Sequence, residues 1–273
     1  MDFVDKVLAR RLEAAEEIPQ VRYAEIYQQL RPDIGAAVEP ICGGHMIFAG
    51  LDSPIGRTVG MGFDGSANAG ELDRMEQFYR SHGAPSQIDI CPYTDAPLIE
   101  LLKGPGYTLA EINNVLFLRL NENFERVAPA GFTVRAAHAN ESGRMADIVV
   151  SSFFPDGDAP SDFAALIAPM YQIQGAISFA VECDGIVVGC GSGLVIPEYG
   201  IAALFGAATL PEYRGRGMQT ALHYARLKAA AGEGCEFAVV VTQGGTTSQR
   251  NAQRLGFQVA YSKATLRKDF RTA

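Results

Sequence analysis

The sequence predicts an α/β protein, of α+β type with a mixed sheet, built from two similar domains in tandem. Three observations point there. The chain has 273 residues, enough for two domains of moderate size. Strand-like apolar runs alternate with helical periodicities in both halves. Segments 86–107 and 236–257 align without a gap at an offset of 150 residues, with the same order of elements.

The second half is the easier to justify element by element. Residues 132–139 (FTVRAAHA) read as an opening strand, and 141–154 (ESGRMADIVVSSFF) as a helix. The turn formers of 155–162 separate it from a second helical stretch, 163–175. Residues 177–196 read as two strands joined at Asp184-Gly185, a strong two-residue hairpin signal. A further strand over 199–210 ends before Pro211. A helix opened by Arg214-Gly215-Arg216-Gly217 then stops near Gly232 and Gly234. Residues 235–243 form a buried strand, 248–257 a short helix, and 258–270 the closing strand.

At the 150-residue offset the first half repeats much of this order. Gly106-Tyr107 falls on Gly256-Phe257, the helical 70–83 on the helix ending at Gly232, and 107–120 on the closing strand. Upstream, 45–63 offers two strands hinged near Asp52–Pro54. Residues 1–20 interleave charged and apolar residues at helical spacing and lack the apolar centre of a signal peptide. Polar residues, Pro129 and Gly131 cluster in 121–132, which places the linker there. The expected domains are 1–125 and 131–273.

Composition narrows the function. With 48% hydrophobic and 20% charged residues, the chain is neither disordered nor fibrous. A net charge of −8 argues against nucleic-acid binding, and no apolar run reaches 18 residues, which argues against a membrane span. The charge is uneven: residues 1–125 hold 10 basic and 19 acidic residues, the remainder 13 and 12. Five scattered cysteines form no CxxC pair, so neither a disulfide framework nor a zinc site is expected. No metal is expected, and the expected location is the cytoplasm. Whether the chain forms a homodimer is left open.

The chemistry lies in 203–222, ALFGAATLPEYRGRGMQTAL. A strand ends, proline breaks it, and a glycine-rich turn with two arginines opens a helix. The first amides of a helix have no internal acceptors and carry the positive end of its dipole, so they suit an anion. Arg214 and Arg216 could add charge-assisted hydrogen bonds of about 1.5–3 kcal/mol each, which together suit a pyrophosphate. A Rossmann loop would need a third glycine where Thr220 stands, and a Walker A loop a Gly-Lys-Ser/Thr ending. The alternative is a plain glycine-rich turn with exposed arginines.

This stretch resembles the acetyl-CoA signature of GNAT N-acyltransferases, Gln/Arg-x-x-Gly-x-Gly/Ala. Arg214 takes its first place and Gly217 its fourth, with Leu210-Pro211 as the usual approach. Gln219 departs from the Gly/Ala of the sixth place. The resemblance implies two GNAT-like acyl-CoA N-acyltransferase domains in tandem. It implies acetyl-CoA as acyl donor, with the backbone of Ala207, Ala208 and Thr209 along the pantetheine arm. Gly215, Arg216, Gly217, Met218 and Gln219, together with Arg214, would lie at the pyrophosphate. The splay between 203–210 and 236–242 would admit the thioester. The acceptor would be an amine of a small molecule or peptide, attacking directly.

At the 150-residue offset, Arg214 and Gly217 become Asp64 and Ala67. The first half thus reads as a degenerate GNAT-like domain without the cofactor loop; an unrelated α/β cap is the alternative. In the family a tyrosine four residues before the Gly of the Gly-Phe pair often acts as acid, but here that position is Ala252. Ser248, on the same helical face, is the catalytic candidate, although Thr246-Thr247-Ser248 also reads as an N-cap. Asn251 and Tyr261 are further candidates. No carboxylate lies in the strand before the loop, only Glu198 and Tyr199 at its start, and Asp156 and Asp158 occupy a solvated loop. The four histidines show no metal spacing or triad context. The competing function is a non-catalytic acyl-CoA sensor, with the first half as an interaction module.

Overall fold

The larger sheet combines local hairpins, such as β6 with β7, with pairings across long stretches of sequence, such as β10 with β3. The computed structural model describes residues 3–51, 53, 55–104, 106–121, 124 and 128–270. In chain order the elements are α1 (Lys6–Leu30), β1 (Ala37–Ile41), β2 (Gly44–Phe48), α2 (Ala69–Ser81), β3 (Ser86–Ile90), α3 (Ala96–Leu102) and β4 (Thr108–Arg119). There follow β5 (Thr133–Ala136), α4 (Ser142–Phe153), α5 (Phe163–Ile167), β6 (Phe179–Cys183), β7 (Ile186–Ile196) and β8 (Ile201–Thr209). The last are α6 (Met218–Gly232), β9 (Phe237–Gln243), α7 (Thr247–Arg254) and β10 (Gln258–Lys268). The mixed α/β class is as the sequence predicts.

Two compact units result, each discontinuous. The first holds Met1–Leu116, Val241–Gln249 and Val259–Ala273; the second holds Phe117–Val240 and Arg250–Gln258. The single cut expected between 1–125 and 131–273 therefore differs from the contact pattern. The reason is strand pairing: β10, the last strand of the chain, runs antiparallel to β3, with Leu266 opposite Ile88. Hydrogen-bonded ladders join residues without regard to sequence distance, so the closing strand counts with the first unit. Residues 122–123 and 125–127 of the expected linker lie outside the described residues.

In the first unit α1 starts at Asp5, whose carboxylate accepts the Leu8 N–H. It continues through Pro19 and is longer than the helical pattern of 1–20 suggests. β1 and β2 form a separate antiparallel hairpin. β1 escaped the sequence reading because Pro40 and Glu39 give it no strand signal. The second strand expected within 45–63 is absent as a strand: Thr58 and Val59 make only isolated bridges, to Ile88 and His45. The hinge residues Asp52 and Pro54 lie outside the described residues. The core gathers Met46, Phe48, Met75, Phe78, Tyr79 and Ile88.

This unit also buries a knot of charge. Lys263 on β10 is 2% exposed and pairs with Glu13, Glu16 and Asp89, at 3.3 Å from Glu13 and 3.2 Å from Asp89. Burial alone would lower the pKa of this ammonium, but the three carboxylates carry it well above its usual value. Tyr261 donates to Glu13 at 2.8 Å, and Arg57 reaches Asp89 at 3.5 Å. Tyr261 is thereby committed inside the first unit.

The second unit orders its strands β9-β8-β7-β6-β5. β8 and β9 are parallel, the other neighbours antiparallel. The β6–β7 turn is the predicted one, with Asp184 at φ 50° and Gly185 at φ 78°. Neighbours on β6 separate the layers: Ala180 packs with Met145 and Ile148 of α4, and Val181 with Met218 and Leu222 of α6. Successive side chains of a strand point to opposite faces, so α4 and α6 cover opposite sides of the sheet.

Candidate functional site

The candidate site begins where β8 loses its neighbour. The β8–β9 ladder pairs Ile201 with Phe237, Ala202 with Ala238 and Ala203 with Val239, and stops there. Beyond Ala203 this edge of β8 has no further ladder partner among the described residues of the unit. On its other edge, β8 pairs with β7 but slips register between Cys190 and Ser192. Gly206, at φ 58°, lies in this bulge with Ala207. The parallel ladder ends and the bulge falls within 203–210, the stretch where the sequence places the splay for a thioester.

The bulge is gripped from both faces of the sheet. On the α4 side the Tyr171 hydroxyl donates to the Gly206 carbonyl at 2.9 Å and lies 3.7 Å from the Cys190 sulfur. Burial holds the phenol well above its ordinary pKa, so it stays a donor. On the α6 side Arg226, 1% exposed, donates from Nη1 to Ser192 O at 2.9 Å and Phe205 O at 3.5 Å. Its Nε returns to Leu222 O at 3.1 Å, while Nη2 is buried without a hydrogen-bond partner. Burial lowers the guanidinium to about 10.

Past Thr209 the chain makes a short helical turn at Pro211–Tyr213 and enters the glycine-rich loop. Gly217 is the N-cap of α6 at φ 83°, a left-handed conformation that disfavours a side chain. It supplies no side-chain cap. The first helical bond runs from Ala221 N–H to Gly217 O at 3.1 Å, so the N–H groups of Met218, Gln219 and Thr220 have no acceptor within the helix. Gly215, Arg216 and Gly217 are exposed.

The predicted loop residues thus come together in the second unit, though their roles shift. Arg214 does not project freely. Its Nε donates to Thr209 O at 3.1 Å and its Nη2 to Ser152 O at 3.0 Å, which ties the end of β8 to α4. Arg216 leans on Tyr213 at 5.6 Å and donates to Glu212 O at 3.3 Å. Gln219, the departure from the family pattern, donates to the Thr209 hydroxyl at 3.0 Å and closes the turn with its side chain. Thr209 and Ala208 are buried, and Ala207 is partly exposed in the bulge.

Ser248 lies elsewhere. It is exposed in the first turn of α7, within the segment Val241–Gln249 that belongs to the first unit. The N-cap role falls to its neighbour Thr246, whose hydroxyl accepts the Gln249 N–H at 3.3 Å. Asp156 and Asp158 are exposed, as expected for a solvated loop. Among the described residues no group of three or more His, Cys, Asp or Glu could hold a metal ion, and all five cysteines are free. No helix among them is long and apolar enough to cross a membrane.

Sequence reasoning passed over Tyr171, Gly206 and Arg226. Two signals were present. Gly206 is an isolated glycine inside a strand pattern, which marks a bulge or a close backbone approach. Arg226 stands at four-residue spacing with Met218, Leu222 and Ala230, all buried, so a charge interrupts the apolar face of α6.

Comparison with known proteins agrees with this geometry. Residues 144–257 match the family model described as Acetyltransferase (GNAT) family, which covers β6 to α7 and the whole loop. No curated protein matches the chain. Among solved structures, a GCN5-related N-acetyltransferase from Kribbella flavida aligns over 91% of this chain and 96% of its own, at 17% identity and TM-score 0.64. A tandem GNAT protein from the clavulanic acid biosynthesis pathway aligns over 87% and 80%, at 13% identity and TM-score 0.61. A GCN5-related N-acetyltransferase from Sphaerobacter thermophilus aligns over 74% and 68%, at 17% identity and TM-score 0.57. At such identities the likeness is one of fold.

Proposed function

We propose, from the premise that residues 144–257 form a domain of the GNAT acetyltransferase family, that this chain transfers an acetyl or other acyl group from coenzyme A to an amine. The observation that carries the reading is the uncapped start of α6 after a β8 strand whose ladder to β9 ends at Ala203. The free N–H groups of Met218, Gln219 and Thr220, the exposed turn at Gly215–Gly217 and the positive end of the α6 dipole suit a pyrophosphate. Ala207 and Ala208 offer the strand edge along which a pantetheine arm would lie as an added strand. Bound there, acetyl-CoA supplies an acyl carbon activated as a thioester.

The chain's own residues orient that thioester rather than titrate it. Tyr171 and Arg226 hold the bulge from opposite faces, and Arg214 with Gln219 fixes Thr209 against the loop. Ser248, the catalytic candidate of the sequence, belongs to the first unit and takes no step in this reading, and a thiol of pKa near 8.5 leaves tolerably without an acid. A positioned acid contributes about 10²–10⁴-fold, so its loss slows acyl transfer without forbidding it.

The first unit is proposed to be a GNAT-like domain that has lost its cofactor site. At the position matching the loop, Asn68 caps α2 itself: its Oδ1 accepts Gly70 N–H at 2.9 Å and Glu71 N–H at 3.2 Å. Asp64, at the place of Arg214, is held by Arg10 at 3.1 Å. Helix donors that are already satisfied, with an acid in the first turn, have nothing to offer a phosphate.

Thiol release from acetyl-CoA with a panel of amines tests the enzyme reading. Amine-dependent release supports it. Tight CoA binding with no release for any amine would favour the sensor.

A further inference from the structure

We infer that the acceptor is a weakly basic amine with an apolar body, of the arylamine class, bound in a cavity of the second unit. The assignment rests on the acyltransferase reading above. The cavity, about 310 Å³ in volume, lies between the end of β5, the start of α4 and the segment leading into β6. Its wall reaches the bulge: Tyr171 lines it and donates to Gly206 O, and Phe179 lines it and pairs with Gly191 on β7. An amine held there is next to the strand edge proposed for the thioester.

The lining decides the chemistry. No Asp, Glu, Lys or Arg contributes; apart from His138, Ser178 and Tyr171 the walls are alanines, Met145, Ile177 and Phe179. Even the polar groups are engaged elsewhere. The His138 side chain accepts a backbone N–H in a capping box, Ser178 Oγ meets Ser192 Oγ at 2.8 Å, and Tyr171 serves Gly206. Of the charges next to the lining in sequence, Arg135 and Glu141 pair with one another at 2.7 Å, and Arg144 donates to Val187 O at 2.9 Å. An ammonium held against this lining finds no counter-ion in it and loses hydration on the side that faces the wall.

The reaction sets the same requirement. The nitrogen lone pair forms the new C–N bond at the acyl carbon, and the C–S pair departs on sulfur. The nitrogen releases its proton to water, and the thiolate takes one from water. An alkylamine of pKa about 10.4 must first lose a proton, at roughly 4.6 kcal/mol at pH 7. No carboxylate stands in the cavity or on β8, and the histidine in the lining, His138, already accepts a backbone N–H in its capping box. An arylamine shares its lone pair with the ring and enters neutral, so neither a base nor a counter-ion is needed.

The test compares isomers of equal size, para-ethylaniline and para-methylbenzylamine, with spermidine as a polycation, on the full chain with saturating acetyl-CoA. Ala176→Phe fills the cavity from within, and Ala139→Phe fills it from an exposed rim position that tolerates change. The expected result is a kcat/KM for para-ethylaniline at least tenfold above its isomer at neutral pH. Each variant should lower that value by about tenfold with unchanged acetyl-CoA affinity by calorimetry. Preference for the benzylamine or spermidine, or full arylamine activity in both variants, overturns the inference and leaves acyl transfer standing. Absence of thiol release with every amine overturns both.

Discussion

The guanidinium of Arg226 packs against the backbone of Gly191 so closely that a β-carbon there would stand 3.0 Å from its Cζ. One position supplies a buried cation, the other the missing side chain that makes room for it. There Arg226 donates to the Ser192 and Phe205 carbonyls that flank the β7–β8 bulge.

This contact predicts strong coupling. Gly191→Ala should destabilise the protein by about 1–3 kcal/mol, the range for overpacking a filled site. In an Arg226→Met background the same change should cost at least 1 kcal/mol less, because neighbours in contact are non-additive. A double-mutant cycle by urea denaturation measures the difference, and additive effects would show that the two residues do not share this space.

The loop makes a second prediction. Gly217→Asp places a side chain in a left-handed backbone position and an anion at the α6 N-terminus. Acetyl-CoA affinity should fall by tenfold or more, on the order of 1.4 kcal/mol. Arg214→Ala should lower both affinity and the melting temperature, since Arg214 bridges Thr209 and Ser152. Calorimetric affinity unchanged in both variants would remove the proposed site.

The first unit should bind no CoA of its own. Titration of the native protein should reach one equivalent, and Asp64→Ala, which removes one partner of Arg10 and leaves its pairing with Glu17, should leave that number unchanged. A second equivalent in the native protein would show that the first unit keeps a working site.

His223 predicts a pH dependence. Burial lowers its pKa to about 3, with Arg226 adding to the effect, and its Nδ1 has no hydrogen-bond partner. The folded pKa is depressed below the unfolded value near 6.5, so the unfolded state binds the proton first. Stability from this group is complete above pH 6.5 and falls toward pH 3, with a slope of up to about 1.36 kcal/mol per pH unit. His223→Leu should flatten that slope in denaturation measured across this range; an unchanged slope would assign the acid sensitivity to other groups.

Lys263 is the corresponding liability of the first unit. Lys263→Met strands Glu13 without its cation, leaves Asp89 with Arg57 as its cation, and should cost about 3–5 kcal/mol. Thermal melting at neutral pH reads the loss, and part of it should return below pH 5 as the carboxylates protonate.

Much of the second half was legible in the chain alone. The Asp184-Gly185 hairpin, the Pro211 break and the helix ending near Gly232 are local signals, set by backbone sterics within a few residues. Errors fell where no local signal exists. Strand β1 carries a proline, and the expected strand near Thr58 and Val59 makes only single bridges. Sequence shows the charge of Arg214 but not the carbonyls of Thr209 and Ser152 to which it also donates.

The sequence by itself determined the class of fold, the repeated order of elements and the glycine-rich helix start, because each depends on spacing and on residues a few positions apart. Only the tertiary structure shows that β10 closes on β3, that Arg214 reaches Ser152, that Arg226 and Tyr171 grip one bulge, and that Ser248 belongs with the first unit. Those facts depend on ladders and buried hydrogen bonds between residues tens to hundreds of positions apart. Such contacts form only where the whole chain satisfies its buried polar groups at once.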